Sequence, residues 1–163
     1  MASGSDDGSI IIHSTSSNKV EYQADNAFTG GVEGLCYLPN GSLVACGYGF
    51  GGGPNLKVFS PSLELVQTLV GHNGDVRCVT VSPKGSHIAS GDGGGKLMIW
   101  SEPGEGGEWA RVQVLEDHTS TIWAVCFSPD GKQLATGSGR LIKLYNFNEG
   151  SAILAHTLEG HTD

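Results

Sequence analysis

Ser82-Pro83-Lys84-Gly85 runs on to Ala89-Ser90-Gly91, and Ser128-Pro129-Asp130-Gly131 runs on to Ala135-Thr136-Gly137. A looser copy, Pro39-Asn40-Gly41 followed by Ala45-Cys46-Gly47, precedes both. The three prolines stand 44 and 46 residues apart. A period in the low to middle forties is that of a propeller array, in which each repeat is one four-stranded blade. Such blades mostly present binding surfaces, so the period bears on function as well as on fold.

Working outward from each copy, apolar alternation and turn signals recur in one order. Val76, Cys78 and Thr80 alternate with Arg77, Val79 and Val81, and Pro83-Lys84-Gly85 turns the chain. His87–Ser90, Lys96–Trp100 and Trp109–Leu115 then read as three further strands. The same grammar gives Val32–Leu38, Ser42–Gly47, Leu56–Phe59 and Leu63–Leu69 before it, and Ile122–Phe127, Lys132–Thr136, Leu141–Tyr145 and Ala152–Leu158 after it. At the front, Ala2–Gly4, Ser9–His13 and Lys19–Gln23 supply three strands without a first one. No segment longer than a turn carries a helical period. The expectation is an all-β chain, an open arc of about three to four four-stranded antiparallel blades. Its pieces fall at about 1–26, 28–70, 72–116 and 118–159, with 160–163 opening a further repeat. A chain that starts inside a repeat and stops just after a Gly-His pair reads as a segment of a longer propeller. Its open ends would be met by remaining blades or by a second copy.

Composition narrows the partners. The 163 residues are 38% hydrophobic and 16% charged, too apolar for disorder. The net charge of −8 comes from 9 basic and 17 acidic residues. Phosphate binding needs a basic stripe, so nucleic acid is not an expected partner, whereas proteins with basic surfaces are. No apolar run reaches the ~18 residues of a membrane helix, and Met1–Asp7 has no signal-peptide pattern. The expected location is the cytoplasm or nucleus. The four cysteines, Cys36, Cys46, Cys78 and Cys126, form no C-x-x-C pair, and no metal or cofactor is expected from them. Cys36 and Cys126 share one phase of the repeat on an inward strand and read as small core thiols. The glycine-rich stretch from Tyr48 to Pro54 reads as a hairpin tip, since no helix or P-loop lysine follows it. Ser101–Glu108 reads as a solvated acidic loop.

These residues resemble the WD40 repeat family. Gly71-His72 is followed 28 residues later by Trp100, Asp117-His118 is followed 27 residues later by Tyr145, and Gly160-His161 begins another unit. The aspartate of the family's Trp-Asp is absent: Ser14, Ser60, Ser101 and Asn146 stand there. The tryptophan becomes His13, Phe59, Trp100 and Tyr145, and Phe28 replaces one histidine. The resemblance implies a buried relay of turn Asp, Gly-His histidine, second-strand Ser/Thr and Trp indole. His72, Ser90 and Trp100 match three of its places. The aspartate's place falls near Gly94 and is empty, although Asp92 is close. His118 and Thr136 match in the next blade with Tyr145 for the tryptophan, and Ser3 with Asp7 match in the first. A relay with missing members pins a blade less firmly than a full one. A Ser-His pair that recurs once per blade, with no oriented acid and no oxyanion donors, reads as structural and not as a hydrolase centre.

The resemblance further implies a protein-interaction scaffold. Partner-facing positions at the channel mouth lie three and five residues after the Gly-His histidine. They are Asp75 and Arg77, Thr121 and Trp123, and, after Phe28, Gly31 and Glu33. Trp123 and Arg77 are of the types enriched at binding hot spots. Trp123 has a second reading, core packing between blades. The alternative class, an enzyme with a site at the channel mouth, would need converging acids, histidines or metal ligands, and the rim offers only Asp75 and Glu33. Within the family, Gly107–Gly137 is similar to repeats of the cytosolic iron–sulfur assembly type. Ile88–Asp92 with Lys96–Trp100 is similar to those of the actin-regulating type.

Overall fold

The computed structural model describes residues 1–49, 55–102, 104 and 107–162. The tip of the Tyr48–Pro54 stretch and three residues of the Ser101–Glu108 loop, Pro103, Glu105 and Gly106, lie outside the described residues, as does Asp163. Everything regular among the described residues is antiparallel strand. The first sheet is β1 (Ala2–Gly4), β2 (Ile10–His13) and β3 (Val20–Ala24). The second is β4 (Val32–Tyr37), β5 (Leu43–Gly47), β6 (Leu56–Phe59) and β7 (Leu65–Thr68). The third is β8 (Val76–Val81), β9 (His87–Asp92), β10 (Leu97–Ser101) and β11 (Ala110–Leu115). The fourth is β12 (Ala124–Phe127), β13 (Gln133–Ser138), β14 (Leu141–Asn148) and β15 (Ser151–Leu158). Each sheet is a meander in chain order.

The repeated phrase makes the first hairpin of each four-stranded sheet. Gly41, Gly85 and Gly131 have φ of 87°, 77° and 69°, and their N–H groups bond to the carbonyls of Leu38, Ser82 and Ser128 at 2.8–2.9 Å. Proline fixes φ at the second turn position and glycine accepts the left-handed fourth, as a type I turn with a following bulge requires. A second irregularity is shared by all four sheets. The register of the last two strands shifts one residue before His13, Phe59, Trp100 and Tyr145. Such bulges turn the outer strand and increase its twist.

Neighbouring sheets pack face to face in sequence, β1 on β4, β4 on β8 and β8 on β12. Among the described residues no packed pair of strands brings the fourth sheet back onto the first, so the molecule is an open arc. Each junction has its own core. Ile10, Ile12, Leu43 and Phe59 fill the first, Val44, Leu56, Ile88 and Trp100 the second, and Ile99, Ile122, Leu134 and Tyr145 the third. The strand alternation decides which neighbour each side chain meets.

Two expectations change. Cys46 and Cys78 are buried, but Cys36 is half-buried and Cys126 is exposed, so the shared phase of Cys36 and Cys126 does not make both core thiols. Alternation sends Cys126 to the face of β12 that no further sheet covers. The β12 strand also begins at Ala124 instead of Ile122, because Trp123 N–H bonds the Gly137 carbonyl outside the regular ladder.

Candidate functional site

Two constellations come from the repeat, one inside the sheets and one at their inner rim. The inner one crosses the third sheet. His72, on the segment between β7 and β8, has its Nδ1 2.7 Å from Asp92 Oδ2 and its Nε2 2.7 Å from Ser90 Oγ. Trp100 Nε1–H donates to the same Ser90 oxygen at 2.9 Å. The indole can only donate and the carboxylate can only accept, so Nδ1–H donates to Asp92 and Ser90 Oγ accepts from the indole; with a neutral imidazole the serine hydroxyl then donates to Nε2. The relay therefore has four members. Asp92 fills the place that the consensus position near Gly94 leaves empty. It stands two residues earlier and reaches the ring because its Oδ1 is held at 2.9 Å by the N–H groups of Gly94 and Lys96. Burial pushes the Asp92 carboxyl up, but the His72 proton and these two amides outweigh it and hold its pKa below the usual carboxylate range. The blade is pinned more firmly than three members would make it.

The fourth sheet has a shorter relay. His118 Nε2 lies 2.7 Å from Thr136 Oγ1. The Tyr145 hydroxyl is buried near Thr136 and Asp117 without an ordinary hydrogen bond to either, and burial raises its pKa. Burial first, then the nearby Lys143 ammonium, lower the His118 pKa. In the second sheet the relay is replaced outright. Phe28 is buried under Lys57, whose ammonium sits 4.7 Å from the ring centroid. In the first sheet Ser3 is exposed, and Asp7 Oδ1 accepts the Ser9 N–H at 2.8 Å, so the two share no relay.

The second constellation collects on the inner rim. Arg77, on β8, donates to Glu33 of β4 through Nη1 and to Asp75 through Nη2 at 2.9 Å. Its guanidinium carbon is 5.7 Å from the Tyr48 ring and 5.7 Å from the Trp123 ring. Groups from the second, third and fourth sheets thus converge on one cation, within the range of cation–π attraction. Trp123 is 62% exposed, which places it on the surface and not in the packing between blades. Thr121 is tied down, its hydroxyl donating to the Gly93 carbonyl at 3.0 Å.

Gly31 does not belong on that surface. It is buried, and a Cβ there would lie 2.7 Å from the Tyr48 ring and 2.9 Å from Asp6 Oδ1. Sequence reasoning missed Tyr48. The available signal is its phase: it follows Gly47 as Asp92 follows Gly91, in the one four-stranded sheet whose relay histidine is missing. Among the described residues no group of three His, Cys, Asp or Glu side chains is placed to hold a metal ion.

Residues 63–101 and 109–146 match the family model described as WD domain, G-beta repeat. Each match begins at the outermost strand of one sheet and ends at the third strand of the next, so a sequence repeat links two sheets. No curated protein matches the chain.

Proposed function

Because this chain carries two WD40 repeats and belongs to that family, whose members are generally non-enzymatic interaction scaffolds, we propose that it is a protein-binding segment that engages its partner at the inner rim around Arg77 and Trp123. The observation that carries the reading is Trp123, a large aromatic left 62% exposed beside an arginine whose two terminal nitrogens are held by Glu33 and Asp75. Exposed aromatic surface next to fixed polar groups is the make-up of an interaction hot spot. The carboxylates of Glu33 and Asp75 are partly exposed, and their charge exceeds that of Arg77. With the chain at −8, this favours a partner with a basic surface, whose encounter is faster at low salt. All four cysteines are free, the state expected in a reducing compartment such as the cytoplasm or nucleus.

The test is affinity capture from a cytosolic extract, with the wild-type chain and Trp123→Ala as baits at equal folded concentration. A genuine partner is retained by the first and lost from the second. Truncating an anchor costs about 2 kcal/mol, roughly thirtyfold in affinity. Retention should fall as ionic strength rises. Equal capture by both baits would remove the rim from the binding surface.

A further inference from the structure

An asparagine or aspartate precedes a glycine at Asp7-Gly8, Asn40-Gly41, Asn73-Gly74, Asp92-Gly93 and Asp130-Gly131. At such a pair the glycine nitrogen can attack the side-chain carbonyl carbon before it, because no Cβ hinders the approach. The attack needs a loose glycine N–H and a side chain able to swing over it. In four of the pairs the fold denies both. The N–H groups of Gly8, Gly41, Gly93 and Gly131 donate to the carbonyls of Ser5, Leu38, Asp75 and Ser128 at 2.9–3.1 Å. The Oδ1 atoms of Asp7, Asn40, Asp92 and Asp130 each accept a main-chain N–H from two residues on, at 2.8–3.0 Å. Asn73-Gly74 escapes both restraints. The two residues are exposed, and among the described residues neither the Gly74 N–H nor the Asn73 side-chain amide has a hydrogen-bond partner. A Cβ on Gly74 would meet nothing within 4 Å, so a ring has room to form there. The flanks, by contrast, are fastened. The His72 ring is held in the relay, the Gly74 carbonyl accepts from Asn55 Nδ2 at 3.3 Å, and the Asp75 carbonyl accepts the Gly93 N–H at 2.9 Å.

We infer that Asn73-Gly74 is a site of spontaneous covalent modification, at which the asparagine amide is lost and the chain converts to aspartate and isoaspartate. The Gly74 nitrogen gives its proton to solvent base and bonds to the Asn73 side-chain carbonyl carbon. The bond from that carbon to the amide nitrogen breaks, and ammonia leaves with the proton. Water then opens the cyclic imide at either carbonyl. Opening at the side-chain carbonyl restores the main chain with aspartate at position 73. Opening at the main-chain carbonyl leaves isoaspartate, with the chain running through the former side chain. Either product sets a new carboxylate two residues from Asp75, on the segment that leads to Arg77. The isoaspartyl product also adds one main-chain carbon between His72 and Asp75, both of which are held in place. Its free α-carboxyl is the substrate class of carboxyl methyltransferases that act on isoaspartate.

The test incubates the full chain at mildly alkaline pH beside Gly74→Ala and follows positions 73 and 40 by tryptic digestion and mass spectrometry. Residues 58–77 form one peptide whose only asparagine is Asn73. In the folded chain Asn73 is expected to convert at least about tenfold faster than Asn40, whose pair must first open locally. In denaturing urea the two rates should draw level, since both are then bare Asn-Gly pairs. Gly74→Ala meets no left-handed φ and no neighbouring atom, so it keeps the fold and should slow conversion at position 73 by about tenfold. The 58–77 peptide of the incubated parent should accept a methyl group from S-adenosylmethionine through an isoaspartyl carboxyl methyltransferase, and that of Gly74→Ala should accept far less. Equal rates at the two asparagines of the folded chain would overturn the inference. A contrast that survives in urea would also overturn it, by assigning the difference to flanking sequence. Asn73 still intact once Asn40 has converted counts equally against it. These readouts are masses and methyl transfer, so they stand apart from the capture experiment, whose failure would speak only against the rim.

Discussion

Single residues set the firmness of each sheet. Ser90→Ala strips a partner from both His72 Nε2 and Trp100 Nε1–H, which are buried. Two orphaned polar groups should cost about 2–4 kcal/mol, read as a lower urea midpoint with an unchanged slope. Tyr145→Phe works in the opposite direction. It removes a buried hydroxyl without a hydrogen bond and should stabilise the chain by about 1 kcal/mol. The His118 pKa is lowered by burial and by Lys143, and that of His87 by burial. Below about pH 6.5 the unfolded chain takes up these protons and the folded chain resists them. Stability should therefore be full above pH 7 and fall progressively toward pH 5.5. Thermal melts of wild type and His118→Gln across that range check the sign, the variant showing the shallower fall. Much of the relay was legible, because His72, Ser90 and Trp100 keep repeat spacing. Asp92 was not, since its reach depends on how the Gly93–Gly95 turn folds its carboxylate back, which spacing does not encode. The Arg77 cluster was hidden for another reason: Tyr48, Arg77 and Trp123 are far apart in sequence and meet only when three sheets are stacked.

At the scale of elements every strand was readable and its ends fell within three residues, β14 running on to Asn148 and β9 to Asp92, because turns of x-Pro-x-Gly type and period-two alternation agree. What the alternation left open was the neighbour each face meets, as the exposed Cys126 shows. The three hairpin glycines rank themselves. A Cβ at Gly85 would lie 2.6 Å from Pro39 Cδ, one at Gly131 3.3 Å from Pro83 Cδ, and one at Gly41 3.6 Å from Pro61 Cγ. All three have left-handed φ, so each alanine carries about 1 kcal/mol of backbone strain. Gly85→Ala adds a clash with the preceding hairpin. The expected order of destabilisation in urea titrations is Gly85→Ala, then Gly131→Ala, then Gly41→Ala. Equal losses would mean that the hairpins do not lean on one another.

For the molecule as a whole, the period gave the architecture and the open arc, while the chemistry of the two ends had to be read from the coordinates. The fourth sheet ends in an apolar, uncharged face and the first in a short three-stranded one, so the ends are unlike and do not invite a symmetric contact. Trp123→Ala should leave the unfolding free energy from urea titration within about 0.5 kcal/mol of wild type, as expected of an exposed side chain. A large loss would return it to the packing. Arg77 draws contacts from three successive wedges at their narrow ends, so it works as a tie rod whose tension is electrostatic. Salt slackens such a tie, and the pitch from wedge to wedge then rests on the apolar wedges alone. Small-angle scattering should accordingly show the arc relaxing as ionic strength rises, and Arg77→Ala should show that relaxed curvature at every salt concentration.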